Sequence, residues 1–232
     1  MLAGVGAAGS APRKSDREPL ASAATRERVR GKLAALANRV RLVVFTGAGD
    51  AAADEQAVQL AEGLAALSPQ VSAEVHNILS EEEQARRFRV ERTPAIAVLG
   101  EKDCGIRFYG VPGGREVDAL VAAIERVSTR DSGLSEASRK ALAGLKKPVH
   151  IEVFVTLGCS HCPAMVELAQ RLAVESDLVT ADMVEVSAFP ELANSRGVTA
   201  APTVALNGAT SFMGRKSEAD FVAAVVRAGS GE

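Results

Sequence analysis

Apolar residues fall along this chain in blocks whose spacing changes between that of helices and that of strands. Val29, Leu33, Leu36 and Val40 repeat at helical intervals behind Thr25, a residue able to cap the helix start. Arg41 to Thr46 (RLVVFT) reads as a buried strand, Asp54 to Leu67 as an amphipathic helix and Val71 to Ile78 as a second strand. A short charged helix from Ser80 to Phe88 leads to Thr93-Pro94. Strands follow at Ala95–Leu99 and Gly105–Tyr109, then a helix from Arg115 to Val127. Asp131-Ser132-Gly133 breaks the pattern, and a helix from Ser135 to Leu145 ends before Pro148.

The second half runs the same programme. His150–Thr156 predicts a strand, Pro163–Val174 a helix, Leu178–Val186 a strand and Phe189–Ser195 a short helix. Thr203–Leu206 and Thr210–Met213 form a strand pair around Asn207-Gly208, a strong hairpin dipeptide, before a last helix from Glu218 to Ala228. Identities support a duplication: Gln59-Leu-Ala-Glu-Gly-Leu-Ala65 matches Glu167-Leu-Ala-Gln-Arg-Leu-Ala173 (167 − 59 = 108), and Val90 and Pro94 match Val198 and Pro202 at the same offset. The class is therefore α/β, two tandem folds, each a mixed central sheet flanked by helices. The expected divisions are a disordered segment 1–22, a first fold 23–130, a connecting helix in 131–147 and a second fold 148–232.

Composition narrows the function. Lys and Arg number 27 against 29 Asp and Glu, so no charge excess favours nucleic acid or an anionic membrane as partner. The N-terminus lacks the pattern of a signal peptide, and no apolar run has the roughly 20 residues that span a bilayer, so a cytoplasmic location is expected. Three cysteines make no disulfide framework, but two of them stand three positions apart in Cys159-Ser160-His161-Cys162.

That pair follows an apolar strand and Gly158 and precedes a helix, where unpaired N–H groups and the helix dipole favour a thiolate on Cys159. Cys162 is near enough to close a disulfide, so Cys159 exchanges with a partner and Cys162 resolves the mixed disulfide. His161 either stabilises the thiolate as a cation or is simply exposed. A zinc site would need further ligands, and Cys104, His76 and His150 show no ligand-like spacing. No metal and no cofactor beyond the Cys159–Cys162 disulfide is expected. Pro202, entering a buried strand, is consistent with a cis bond that sets the Ala201 backbone beside the sulfurs; the bland reading is an ordinary strand-entry turn, as at Pro94. At the repeat offset the first half carries Ala51 and Asp54 in place of the cysteines.

Strand, Cys-x-x-Cys, helix and a later proline before a hairpin resemble the thioredoxin fold. Two in tandem resemble the protein disulfide oxidoreductase (glutaredoxin-like) family, close to the N-terminal domain of the alkyl hydroperoxide reductase flavoprotein subunit. The resemblance rests on Phe154 to Pro163, Ala201 to Gly208 and Gly105 to Glu116. It implies Cys159 as attacking thiol, Cys162 as resolving thiol, Pro202 as cis-proline and Glu116 as an acid brought from the first half toward the redox centre. An ordinary role for Glu116 is a helix-start carboxylate. It further implies protein disulfide substrates, a flavin-dependent disulfide reductase as donor and a peroxiredoxin-like acceptor. One departure is on the strand, where the family's acid is replaced by Val153; Glu152 is adjacent but alternation sends it to the opposite face. The flavin and nicotinamide domains are absent from the sequence. An enzyme of dithiol–disulfide exchange is the leading function, and a non-catalytic binding module with a groove near Pro202 is the alternative.

Overall fold

The computed structural model describes residue 20 and residues 22–230. The segment 1–22 lies outside these apart from Leu20 and Ser22. Ser22, in extended backbone, accepts the Thr25 N–H at 3.0 Å and caps α1 (Ala23–Leu33). The cap is thus three residues earlier than the sequence pattern placed it, with Thr25 inside the first turn. The chain continues through β1 (Val40–Thr46), α2 (Ala51–Ala65), β2 (Val71–Asn77), α3 (Glu82–Phe88), β3 (Ala95–Leu99), β4 (Asp103–Tyr109) and α4 (Glu116–Thr129). After α5 (Glu136–Leu142) come β5 (Val149–Val155), α6 (Cys162–Glu175), β6 (Val179–Glu185), α7 (Pro190–Ser195), β7 (Thr203–Leu206), β8 (Ala209–Met213) and α8 (Glu218–Ser230). α2 also starts three residues before the expected Asp54, because Asp50 accepts the Ala52 N–H at 2.9 Å and caps it there.

These strands make one sheet in the order β2-β1-β3-β4-β6-β5-β7-β8. Its halves have the same internal order, and β2 and β6 begin one repeat apart (179 − 71 = 108). Within each half the third strand, β3 or β7, is antiparallel to its neighbours. The halves join where Ile106 to Tyr109 of β4 lie parallel to Ala181 to Val184 of β6. Periodicity marks each strand but not its partner across the repeat, so this fusion into a single sheet is a finding of the structure.

The two faces of the sheet are covered unequally. One carries a continuous core in which Leu42, Val44, Ile106, Phe108, Ile151 and Val153 pack under α1, α2, α4, α5, α6 and α8. Burial of such side chains is the main favourable term in folding, about 25 cal/mol per Å² of apolar surface. The other face carries a smaller core, with Phe45, Ala97, Tyr109, Phe154 and Ala205 beneath α3 and α7. Helices on both faces were expected; the short α3 and α7 make that coverage lopsided.

Gly105 stands at the junction of the halves with φ +72°, and a Cβ there would lie 2.6 Å from the Thr180 side chain and 3.3 Å from its Cα. Gly105→Ala is expected to lower stability by about 1–3 kcal/mol. Gly31→Ala, inside α1 with open space around it, is expected to raise it by roughly 0.5–1 kcal/mol. Chemical denaturation of both variants checks the opposite signs.

Candidate active site

The loop between β5 and α6 presents the paired cysteines. The Cys159 N–H donates to the Thr156 carbonyl at 3.0 Å, turning the chain after the strand. α6 opens at Cys162 with Pro163 in its first turn, where a missing N–H is tolerated. Cys159 and Cys162 are joined as a disulfide with Cα atoms 5.5 Å apart. The two sulfur positions differ sharply in exposure. Cys162 is wholly buried against the main core, whereas Cys159 is half-buried at its surface. His161 occupies the N-cap of α6 without a side-chain capping bond, and its ring is exposed.

Strand direction gathers the remaining residues. β5 is parallel to β6 and antiparallel to β7, so the redox loop and the start of β7 share one edge of the sheet. At that start the Ala201–Pro202 bond is cis, with Pro202 buried and Ala201 half-buried against the core. β4 is also parallel to β6, so α4 begins at this edge too and packs beside α6. The topology therefore brings Cys159, Cys162, Ala201, Pro202 and Glu116 to one edge. Beside the redox loop lies a groove of about 790 Å³, lined by Leu157, by Ala48 to Asp50 and Pro94 of the first half, and by Phe189 and Leu192.

Glu116 departs from an ordinary helix-start carboxylate. It is 1% exposed, and neither carboxylate oxygen has a hydrogen-bond partner. Burial, with the nearby charge of Glu167 adding to it, pushes its carboxyl up to about 8. Glu116 is consequently neutral at pH 7 and holds a proton inside the α4–α6 interface.

In the first half Ala51 opens α2 and Asp54 occupies its first turn, at the positions of the cysteines. Asp54 accepts the Gly47 N–H at 2.7 Å, and Ala48 N–H donates to Thr93 Oγ1 at 2.9 Å. The Thr93–Pro94 bond is cis like its counterpart, so Pro94 is more than the ordinary strand-entry turn its sequence allowed.

Residues outside the edge are held in place by ion pairs or burial. Glu152 faces away from the cysteines and receives the Arg196 guanidinium at 2.8 Å, with Phe154 of its strand in the smaller core. His150 bonds Asp182 at 2.6 Å. His76 bridges Glu81 and Glu74 at 2.6 and 2.8 Å. Cys104 is buried, which pushes its thiol up and away from the reactive range.

A thioredoxin-domain family model matches residues 149–227. The structure is similar to a protein disulfide oxidoreductase from Aeropyrum pernix K1, with 33% identity and a TM-score of 0.84 over 90% of this chain and 94% of that one. It is also similar to the NTD_N/C domain of alkylhydroperoxide reductase AhpF from Enterococcus faecalis, with 28% identity and a TM-score of 0.81 over 87% and 98%. Among sequences, an NADH dehydrogenase of Ferdinandcohnia aciditolerans is 30% identical over 184 residues, 78% of this chain and 33% of that protein. The chain thus spans about a third of the length of that relative. None of the described helices is long and apolar enough to cross a membrane.

The buried proton on Glu116 has a stability signature. An unfolded carboxyl ionises near 4.5 while the folded one holds its proton to about 8. Between those values the folded state binds more protons, so stability falls as pH rises, and below them the penalty vanishes. Glu116→Gln is therefore expected to gain on wild type from pH 4 to pH 8, with no comparable gain at pH 4. Urea denaturation of the two proteins across this range measures the difference.

Proposed function

The chain belongs to the thioredoxin-fold protein disulfide oxidoreductase family and is a thiol–disulfide oxidoreductase; we propose that Cys159 is its exchanging sulfur and Cys162 its resolving one. The observation that carries this reading is the asymmetry of the disulfide, with Cys159 at the surface and Cys162 wholly buried. In the reducing direction a partner thiolate attacks Cys159 Sγ, the Cys159–Cys162 bond breaks, and the electron pair leaves on Cys162 Sγ. Glu116, on the neighbouring helix start, supplies the proton that neutralises that sulfur. A second partner thiolate attacks the mixed disulfide and releases Cys159 as a thiolate, which the N-terminus of the 14-residue α6 favours. The oxidising direction reverses each step: Cys159 opens a substrate disulfide, Glu116 takes the Cys162 proton, and Cys162 displaces the substrate.

The Ala201 backbone, beside Pro202 on the redox edge, offers a peptide substrate its contact, and the groove at Leu157 receives the flanking chain. His161, exposed between the cysteines, adds positive charge beside Cys159 when protonated. Protein disulfides are the substrates on this reading. Similarity to the AhpF domain supports a flavin-dependent disulfide reductase as donor and a peroxiredoxin-like acceptor. We place the chain in the cytoplasm, with its sparing use of cysteine, three in all, as support.

Reduction of a protein disulfide by the dithiothreitol-reduced protein tests the assignment. Cys159→Ser is expected to abolish turnover, and Cys162→Ser to trap substrate as a stable mixed disulfide on Cys159. Full activity in Cys159→Ser would overturn Cys159 as the exchanging sulfur.

A further inference from the structure

The redox loop has a charged groove on each side, and strand order sets which side each occupies. β8 is antiparallel to β7 and β7 to β5, so β8 runs with β5 and the loop after it emerges at the redox edge. That loop is pinned to the centre. The Gly214 N–H donates to the Pro202 carbonyl at 2.7 Å, and the Lys216 N–H donates to Sδ of Met165, in the first turn of α6, at 3.4 Å. Arg215 and Lys216, both exposed, are thereby held beside the cis-proline and the redox helix. Neither forms an ion pair among the described residues; the Lys216 ammonium lies 6.0 Å from the Phe212 ring centre. Along α6 runs a groove of about 580 Å³, where Arg126 and Arg171 join them against Glu167 and Glu218. Arg171 and Glu218 pair at 2.8 Å, which leaves the groove cationic.

On the β6 side of the redox loop the sign reverses. The groove at Leu157 is lined by Asp50, Glu91, Glu185 and Glu191, against one cation, Arg92, which stands 3.9 Å from Glu91. Glu185 accepts the Ser187 and Ala188 N–H groups, and Asp50 accepts that of Ala52, so these bonds hold the carboxylates without cancelling their charge.

We propose that the two grooves select substrate by charge. The reacting cysteine of the partner lies in a segment that is acidic on one flank, over Arg215 and Lys216, and basic on the other, over Asp50, Glu91 and Glu191. The inference rests on Cys159 exchanging with a protein disulfide as proposed above. Opposite charges on the two sides steer encounter and fix which way the segment lies, while a segment of reversed order meets like charge at both ends.

The test uses pre-reduced protein, freed of reductant, and symmetric peptide disulfides, each two copies of one peptide joined through a single cysteine. One exchange oxidises the Cys159–Cys162 dithiol to the disulfide and releases both peptide thiols, so electrons and protons balance. Acid quench and chromatography give the second-order rate constant. Four peptides differ only at the residues flanking cysteine: Lys before and Glu after, the reverse, Lys on both sides, and Glu on both sides. One mixed order is expected to react several-fold faster than the other three, with the advantage fading as salt is raised. In Arg215→Gln/Lys216→Gln the favoured peptide is expected to fall level with the Lys-flanked one, and in Glu91→Gln/Glu191→Gln with the Glu-flanked one. Equal rates for the two mixed orders in wild type, with Cys159→Ser inactive, overturn the charge selection and leave the exchange reading standing. Release of peptide thiols by Cys159→Ser at the wild-type rate overturns the exchange reading, and the selection with it.

Discussion

Ile106 to Tyr109 lie parallel to Ala181 to Val184, and this short ladder is the one strand pairing between the halves among the described residues. Its parallel sense governs the rest. Because β4 and β5 both run with β6, the helices that follow them start at the same edge and pack side by side. An antiparallel junction would have sent α4 to the opposite edge, with Glu116 far from the cysteines. That strand pairing places Glu116 of the first half at the end of the sheet that carries the redox loop, while on the redox half's own strand Val153 faces the core.

The site combines two opposed demands. Disulfide exchange needs a sulfur that a partner can reach, while proton transfer needs a carboxyl whose proton is kept near neutral pH. The disulfide meets the first by spanning the core boundary, with Cys159 outside and Cys162 inside. Glu116, the acid proposed for the second, stands with both oxygens unbonded, an arrangement that weakens the fold at neutral pH. Unpaired buried carboxylates are rare because their desolvation is expensive, and here that expense is what holds the proton in place.

Much of this was legible in the sequence. The strands, the repeat and the cysteine pair follow from period, offset and spacing, and Pro202 before a buried strand pointed to its cis bond. Glu116 was legible only through family resemblance, since a carboxylate at a helix start has an ordinary explanation. The helix starts were misplaced at Thr25 and Asp54 because Ser22 and Asp50, outside the apolar repeat, supply the caps. The sheet fusion was not legible, because periodicity carries no information about partners far along the chain.

The first half's loop carries a consequence of its own. Gly49 lies so close to Thr93 that a Cβ would sit 2.3 Å from the Thr93 carbonyl oxygen, while Thr93 Oγ1 and Asp54 bind the loop from either side. The residue before the cis-proline is buried here, whereas its counterpart Ala201 is half-buried. Placing cysteines at 51 and 54 would restore the sulfur pair but discard the Asp54 tether and leave Thr93 covered. The first half thus differs from the redox half in the tether and packing of its loop as well as in its missing thiols, so two cysteine substitutions would not by themselves reproduce the redox loop.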